Sequence, residues 1–234
     1  MSPTTTPAWL VPAFARAALG AGAQASEGTI DAAGARLLDR WSAPERKYHN
    51  VRHLVDLLQH VDELQQETHN PHTVRLAAWY HGAVFNANAA ASYAKRGGED
   101  EVASAEYARE ELTALEVPPK VIDDVVTMVE SLARHASNPI SIDCAVLLDA
   151  DLAILAAEPQ RYRAYMDDVR AEYAHIPAHD FLTSRRAILH RLLGRDRLYV
   201  SPLGSGWETQ ARQNVAGEIA RIDHELEHLD AASA

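Results

Sequence analysis

The spacing of the apolar residues constrains the fold of this chain more than any other feature of its sequence. Along most of the chain these residues recur every three or four positions, which is the period of an amphipathic helix. The clearest case is a helix predicted over residues 49–64, whose apolar stripe comprises Val51, Leu54, Val55, Leu58, Val61 and Leu64. The sequence contains no alternating strand pattern of useful length and no internal repeat. It therefore predicts an all-α protein.

Length and the ends of the chain indicate the domain organisation. A chain of 234 residues can bury one large core, and nothing in the sequence forces a division into two domains. We predict a flexible N-terminus over residues 1–7, which are rich in Pro and Thr, followed by a single α-helical domain over residues 8–231. The segment from Asn86 to Gly98 is predicted to be a loop that forms a lid over a pocket.

Charge and cysteine content exclude several classes of function. The 22 basic and 33 acidic side chains give a net charge of −11, so a broad basic surface for a nucleic-acid duplex is not expected, while a basic pocket for a small anion remains open. Cys144 is the only cysteine, so neither an internal disulfide nor a thiolate zinc cluster can form. We find no run long and apolar enough to span a bilayer and no signal-peptide pattern, and we predict a cytoplasmic protein that does not bind membranes.

Two strongly apolar segments each contain a polar residue that would be costly to bury. His81 interrupts the segment from Val74 to Phe85, and Asp151 is one of three acidic residues in the segment from Ile142 to Ala156. A buried charge needs hydrogen bonds, an opposite charge or a metal ion, and His53 is the natural partner for both residues. Two imidazoles and a carboxylate suit a divalent ion such as Mn, Fe, Co or Zn. Taken singly, each residue also fits a hydrogen-bonded position in a core.

Three short segments carry these residues, namely Tyr48-His49-Asn50 with His53, Leu76 to His81 followed by Ala83-Val84-Phe85, and Leu148 to Leu152 around Asp151. In this order they resemble the HD-domain superfamily of metal-dependent phosphohydrolases, whose pattern is a His, a His-Asp pair and a distant Asp on separate helices. The chain is most similar to a small bacterial group of uncharacterised HD proteins, from about Trp41 into the C-terminal part. The matching residues there are Tyr199, Glu208, Ala211, Arg212 and Asn214.

The resemblance implies a fold, a set of ligands and a reaction. The fold would be an HD-domain-like helical bundle in which His53, His81 and Asp151 bind one divalent metal ion (Mn, Fe, Co, Zn or Mg). His49 would be the catalytic acid that protonates the leaving oxygen. The implied reaction is hydrolysis of a nucleotide or another small phosphoester, so the expected partner is a small phosphorylated molecule. The alternative is a non-catalytic HD-like protein that binds a ligand or has a regulatory role.

The chain departs from the family pattern at one position. Where the family carries the Asp of the His-Asp pair, this chain has Gly82, so the carboxylate that would hold two ions together is missing. His53, His81 and Asp151 remain, and two histidines with one carboxylate are the smallest set that holds one ion with open positions. The sequence therefore predicts a single-ion site, and Gly82→Asp tests the placing of Gly82 at the metal. A rise in metal content and phosphatase activity by orders of magnitude would mark the natural protein as the degenerate form, and no change in either would count against that placing.

Several further residues are candidates because of where they lie in the sequence. Glu101 is a candidate catalytic base or a partner of the ligands, and the alternative is a solvated charge on a helix. Arg52 and His135 are candidates for substrate binding, although His135 also ends a predicted helix, where a positive charge is favoured. His224 and His228 match the H-E-x-x-H pattern of zinc proteases, but the apolar stripe of the last helix predicts that both face solvent.

Overall fold

In the computed structural model, residues 7–93, 97–133 and 139–233 are described, and this part of the chain contains eleven α-helices and two very short strands. The helices are α1 (Leu10–Gly20), α2 (Glu27–Trp41), α3 (Val51–Leu64), α4 (Pro71–Tyr80), α5 (Ala89–Tyr93), α6 (Glu101–Ala114), α7 (Pro119–Leu132), α8 (Ile142–Leu152), α9 (Pro159–Glu172), α10 (Ala178–Leu193) and α11 (Glu208–Ser233). The strands β1 (Phe85–Asn86) and β2 (Gly98–Glu99) pair antiparallel. The prediction of an all-α, single-domain fold is confirmed. None of the described helices has the length and apolar character needed to cross a membrane.

The first residue of α3 lies later than the sequence pattern predicted. Asn50 is the N-cap, and its side-chain oxygen accepts a hydrogen bond of 2.8 Å from the backbone N–H of Arg52. Asparagine is among the strongest N-cap residues, which explains why the helix begins at Val51. The predicted helix over residues 49–64 was therefore wrong at its first two positions. His49 lies in the loop before α3 and does not share a helical face with His53.

Two clusters of buried side chains hold the helices together. The first cluster contains residues of the four helices α1–α4 and of α6, α7 and α8. The second contains residues of α9, α10 and α11. Trp41 and Trp79 are fully buried in the first cluster, where Nε1 of Trp41 donates a hydrogen bond of 3.0 Å to the carbonyl of Trp79. Truncating an aromatic side chain at such a position costs about 3–5 kcal/mol. Tyr48 belongs to the second cluster while α3 belongs to the first, so residues 48–53 lie where the two clusters meet.

The zinc-protease-like pair lies on the surface of α11. His224 and His228 are exposed, whereas Ile222 and Leu226 of the same helix are buried. The prediction that these two histidines face solvent is confirmed, because the apolar stripe of α11 packs into the second cluster and the histidines lie on the other face of the helix.

Candidate metal centre

Four side chains from four parts of the chain bring their donor atoms together in the interior. His53 lies on α3, His81 directly follows α4, Glu99 lies on β2 and Asp151 lies on α8. The Nε2 atoms of His53 and His81 are 3.4 Å apart. Asp151 Oδ1 lies 3.5 Å from His53 Nε2 and 3.7 Å from His81 Nε2. Glu99 Oε1 lies 3.2 Å from His81 Nε2. We call these four side chains the donor cluster.

The ring of His81 is fully buried and held in one orientation. Its Nδ1 atom donates a hydrogen bond of 2.8 Å to the carbonyl of Ala78, which leaves Nε2 for the donor cluster. The indole of Trp41 packs against the ring at a centroid distance of 5.2 Å. Histidines that bind metals commonly donate from the second ring nitrogen to a carbonyl in this way, because the bond fixes the tautomer. The surroundings of His81 therefore suit a metal ligand.

Glu99 occupies the space that a side chain at position 82 would need. A Cβ atom on Gly82 would lie 2.7 Å from Glu99 Oε1 and 2.3 Å from Cη2 of Trp41. Glu99 reaches this position because β2 pairs with β1, which begins shortly after Gly82 and puts Phe85 opposite Glu99. The cluster thus contains two carboxylates, not the one that the sequence predicted, and the glycine is the residue that makes room for the second.

Gly82→Asp is therefore expected to destabilise the protein rather than to raise its metal content. The new Cβ would overlap the buried indole of Trp41, and overpacking of this kind costs about 1–3 kcal/mol. The new carboxylate would also lie beside the charge of Glu99, which adds repulsion. Chemical denaturation measures the loss of stability, and metal analysis of the purified variant measures the ion content.

Gly217→Ala is the matched control for that substitution. Gly217 lies within α11, and a Cβ atom there would meet nothing within 4 Å. Alanine at such a position stabilises a helix by up to about 1 kcal/mol. If Gly82→Asp were as stable as the wild type and bound more metal, our account of position 82 would be wrong, and the natural protein would be a degenerate form that lacks a ligand at this position.

The spacing of the donor atoms fits a divalent ion. Glu99 Oε1 is buried and makes no hydrogen bond of regular geometry among the described residues, so its compensation comes from the charge of His81, whose Nε2 atom lies 3.2 Å away. Ligands of one tetrahedral ion, each about 2.1 Å from it, are about 3.4 Å apart. The four separations given above run from 3.2 to 3.7 Å, and the donor atoms of His53, His81 and Glu99 all lie within 4.8 Å of one another. The group formed by His53, His81 and Glu99 could therefore hold a metal ion.

The electrostatics of the cluster favour opposite charges on His81 and Glu99. Burial disfavours the charged form of each side chain, but the charges of Glu99 and Asp151 and the hydrogen bonds of His81 together outweigh burial and raise the pKa of His81 above its ordinary value. In the same way, the charges of His81 and His49 outweigh burial and lower the pKa of Glu99. Without an ion the two side chains form an internal ion pair. Metal binding would release the proton of His81, because a ligand nitrogen needs its lone pair.

His49 lies beside the donor cluster and is held there by Glu172, the last residue of α9. Its Nδ1 atom donates a hydrogen bond of 2.8 Å to Glu172 Oε2, and its Nε2 atom lies 4.0 Å from Glu99 Oε2. The other oxygen of Glu172 accepts hydrogen bonds of 2.8–2.9 Å from the backbone N–H groups of Lys47, Tyr48 and His49. Burial opposes a charge on His49, but Glu99 and Glu172 outweigh it and raise the pKa of His49. Glu172 therefore positions His49, a role that the sequence analysis missed.

We expect Glu172→Gln to loosen the loop that carries His49. The carboxylate of Glu172 accepts hydrogen bonds from three backbone N–H groups and from the ring of His49, and a neutral amide would bind these four donors more weakly. The expected loss of unfolding free energy near neutral pH is about 1–3 kcal/mol, measured by chemical denaturation. Burial alone would raise the pKa of Glu172, but the hydrogen bonds from His49 and from the backbone lower it below 4.5. A carboxylate whose pKa is lower in the folded protein than in the unfolded chain stabilises the fold at pH values above its unfolded pKa. This stabilisation is lost as the pH falls through the folded pKa.

The difference between the wild type and Glu172→Gln should therefore be largest where Glu172 is ionised and His49 is protonated. It should shrink below about pH 5 as Glu172 gains a proton, and above about pH 6.5 as His49, whose pKa Glu172 raises, loses its proton. Glu110→Gln, at an exposed position on α6, is the control and should change stability by less than about 0.5 kcal/mol. A destabilisation by Glu172→Gln that is the same at all pH values would contradict this account of Glu172.

The donor cluster opens onto a pocket of about 400 Å³, a volume within the range of small-molecule sites. His53, Glu99 and Asp151 line it, and so does His49. The remaining wall residues are mostly apolar, with three arginines among them: Tyr48, Ala133, Leu152, Ile154, Leu155, Tyr165, Arg185, Ile188, Arg191, Leu192 and Arg195. The pocket therefore connects a group of side chains that could bind a metal ion to a wall that contains arginines.

Arg46 connects the first two motif segments from inside the protein. It is buried, and it donates hydrogen bonds of 2.8 Å to the carbonyl of Gly82 and 3.1 Å to the carbonyl of His49. Its guanidinium lies 4.7 Å from the centre of the Phe85 ring. These contacts use the guanidinium of Arg46 to hold the loop around His49 against the loop around Gly82.

Of the further residues that the sequence suggested for the site, Arg52 and Glu101 do not line the pocket. Arg52 pairs with Asp168 and does not line the pocket. Glu101 is the first residue of α6, and the acidic side chain that reaches the cluster is Glu99. His135 lies outside the described residues. The substrate role of Arg52 and the catalytic role of Glu101 stay predictions.

Comparison of the chain with protein-family models, with curated proteins and with solved structures finds no match. The resemblance to the HD-domain superfamily therefore rests on the three motif segments and stays a prediction.

Proposed function

We propose that this protein is a metal-dependent phosphohydrolase that acts on a nucleotide or another small phosphoester at a single-ion site. The observation that carries the proposal is the convergence of two imidazoles and two carboxylates, in which each donor atom lies 3.2–3.7 Å from at least one other, on a pocket whose wall also contains Arg191 and Arg195. Arginine is a preferred partner of phosphate groups because its donors match two phosphate oxygens. The resemblance of the motif segments to HD-domain phosphohydrolases supports the same function.

His53, His81, Glu99 and Asp151 would hold the ion. Two imidazoles with two carboxylates favour Mn, Fe, Co or Zn over Mg, which prefers oxygen ligands. When bound, such an ion polarises a phosphoryl oxygen and lowers the pKa of a coordinated water. This chemistry requires substrate access from the pocket, which His53, Glu99 and Asp151 all line.

His49 would give a proton to the leaving oxygen. Its Nδ1 atom is occupied by Glu172 at 2.8 Å, so Nε2 is the ring atom available to a substrate. The side chain lines the pocket and lies next to the donor cluster, which is where the leaving group of a bound phosphoester would be. A positioned imidazole contributes about 10²–10⁴-fold to reactions that need a proton transfer.

A second candidate function is a non-catalytic protein that binds a ligand or has a regulatory role through the same pocket. One observation favours it. His81 and Glu99 carry opposite charges 3.2 Å apart, so they compensate each other in part without an ion.

Phosphate release distinguishes the two functions. Protein purified without chelator is supplemented with Mn, Fe, Co, Zn or Mg and assayed with nucleotides, sugar phosphates and an aryl phosphate. The proposed function predicts release that depends on the ion and is lost after treatment with EDTA. Absence of release with every ion, together with binding of a phosphorylated compound in the pocket, would reject the hydrolase and support the binding protein.

A further inference from the structure

One face of α10 forms a wall of the pocket. The residues that line the pocket from this helix and the turn after it are Arg185, Ile188, Arg191, Leu192 and Arg195. Each of them stands three or four positions from another member of the set, so they share one side of the helix and its last turn. The wall therefore presents positive charges and apolar side chains to the same space as the donor cluster.

The charge of the first of these arginines is balanced within the protein. Arg185 donates a hydrogen bond of 2.7 Å from Nε to Glu218 Oε1, and another of 2.9 Å from Nη2 to the hydroxyl of Tyr165. Glu218 is buried and also accepts a hydrogen bond from Tyr162. Arg185 thus belongs to an internal network whose carboxylate neutralises it.

The other two arginines are not balanced in this way. Within residues 7–93, 97–133 and 139–233, neither Arg191 nor Arg195 has an acidic partner. Burial and the neighbouring charge of Arg191 lower the pKa of Arg195. By contrast, Arg186 on another face of α10 pairs with Asp223 at 2.8 Å. Arg191 is exposed and Arg195 is half-buried on the same wall, where their positive charges repel each other, and a bound anion would offset that repulsion.

We propose that Arg191 and Arg195 bind a second anionic group of the substrate, so that the preferred substrate carries a phosphate or carboxylate besides the phosphoryl group at the donor cluster. Ile188 and Leu192 lie on the same wall, so the part of the substrate that contacts them is uncharged. This inference rests on the proposed function for the reacting phosphoryl group. The anion site itself requires no metal, because two guanidinium groups can bind a phosphate by charge and by paired hydrogen bonds.

Binding of inorganic phosphate to the metal-stripped, full-length protein tests the anion site directly. The double variant Arg191→Gln/Arg195→Gln is expected to bind phosphate at least about tenfold more weakly than the wild type in isothermal titration. Arg197→Gln is the matched control, because Arg197 is exposed near the same helix end but does not line the pocket, and its affinity should be unchanged. Equal affinity in the double variant, or no phosphate binding by the wild type, would overturn the proposal.

Steady-state kinetics separates this inference from the proposed function. With a divalent ion present, the double variant should raise KM for a bisphosphate about tenfold or more, with little change in kcat or in KM for the matching monophosphate. An unchanged KM for the bisphosphate would reject the anion site and leave the hydrolase standing. Weaker phosphate binding by the double variant of a protein without activity would reject the hydrolase and leave the anion site standing.

Discussion

Glu99→Gln is expected to remove the divalent ion and, with it, phosphate release. The substitution keeps the size of the side chain but replaces a charged ligand by a neutral one in a buried position next to His81. Changes to residues that merely support metal ligands cost about 10–100-fold in affinity, so loss of a ligand should exceed about 100-fold. Titration of chelator-treated protein with Mn or Zn measures the affinity, and the phosphate assay measures the activity.

Two neighbouring acidic residues serve as comparisons for Glu99→Gln. Glu106 is exposed on α6, so Glu106→Gln should bind the ion with wild-type affinity. Glu101→Gln tests the catalytic role that the sequence suggested for Glu101. If Glu101→Gln lost activity while Glu99→Gln kept both ion and activity, the sequence-based prediction would be right and the assignment of Glu99 would be wrong.

His49→Gln is expected to lower kcat by about 100-fold or more while the ion content stays at the wild-type level. Glutamine can still accept or donate a hydrogen bond, but it cannot carry the proton that a leaving oxygen needs. Steady-state kinetics and metal analysis of the same preparation measure the two quantities. A fall in ion content that parallels the fall in kcat would show that His49 acts on the metal centre rather than as the proton donor.

His190→Gln is the control for His49→Gln. His190 is exposed on α10 and does not line the pocket, so its substitution should leave kcat unchanged. A second comparison is a phosphoester with a better leaving group, such as an aryl phosphate. Because a good leaving group needs less protonation, the effect of His49→Gln should be smaller with it, and an equal effect on both substrates would contradict the role of His49.

The fold and part of the donor cluster could be predicted because their signals are local. Apolar residues at helical spacing predicted the helices, and the cost of burying charge in two apolar segments singled out His81 and Asp151. The structure brings these two residues within 3.7 Å of each other and each close to His53. The start of α3 was missed by two residues, because the cap formed by Asn50 outweighed the pattern that began at His49.

The contribution of Glu99 could not be predicted from these signals. It reaches the cluster through two strands of two residues each, which are too short to show an alternating pattern. In the sequence it stands in a Glu-Asp-Glu run before α6, where acidic residues are ordinary helix starts. The sequence shows that position 82 lacks a carboxylate. It does not show that the pairing of β1 with β2 brings the carboxylate of Glu99 to the same place.

Glu172 and the arginines of the pocket were missed for different reasons. Glu172 ends a helix rich in charged residues, and nothing in the sequence indicates that its carboxylate faces the loop around His49. Arg191 and Arg195 stand at helical spacing with Ile188 and Leu192, which was a usable signal. It went unused because the basic residues next to the first motif, Arg52 among them, were closer in sequence to the histidines.

The most direct test of the central claim is a crystal structure of the wild-type protein grown with saturating Mn or Zn and recorded at the absorption edge of the ion. We expect one anomalous peak per chain, about 2.0–2.3 Å from Nε2 of His53, Nε2 of His81 and carboxylate oxygens of Glu99 and Asp151. A donor cluster without a peak, with His81 and Glu99 still paired directly, would contradict the claim that this site holds a metal ion.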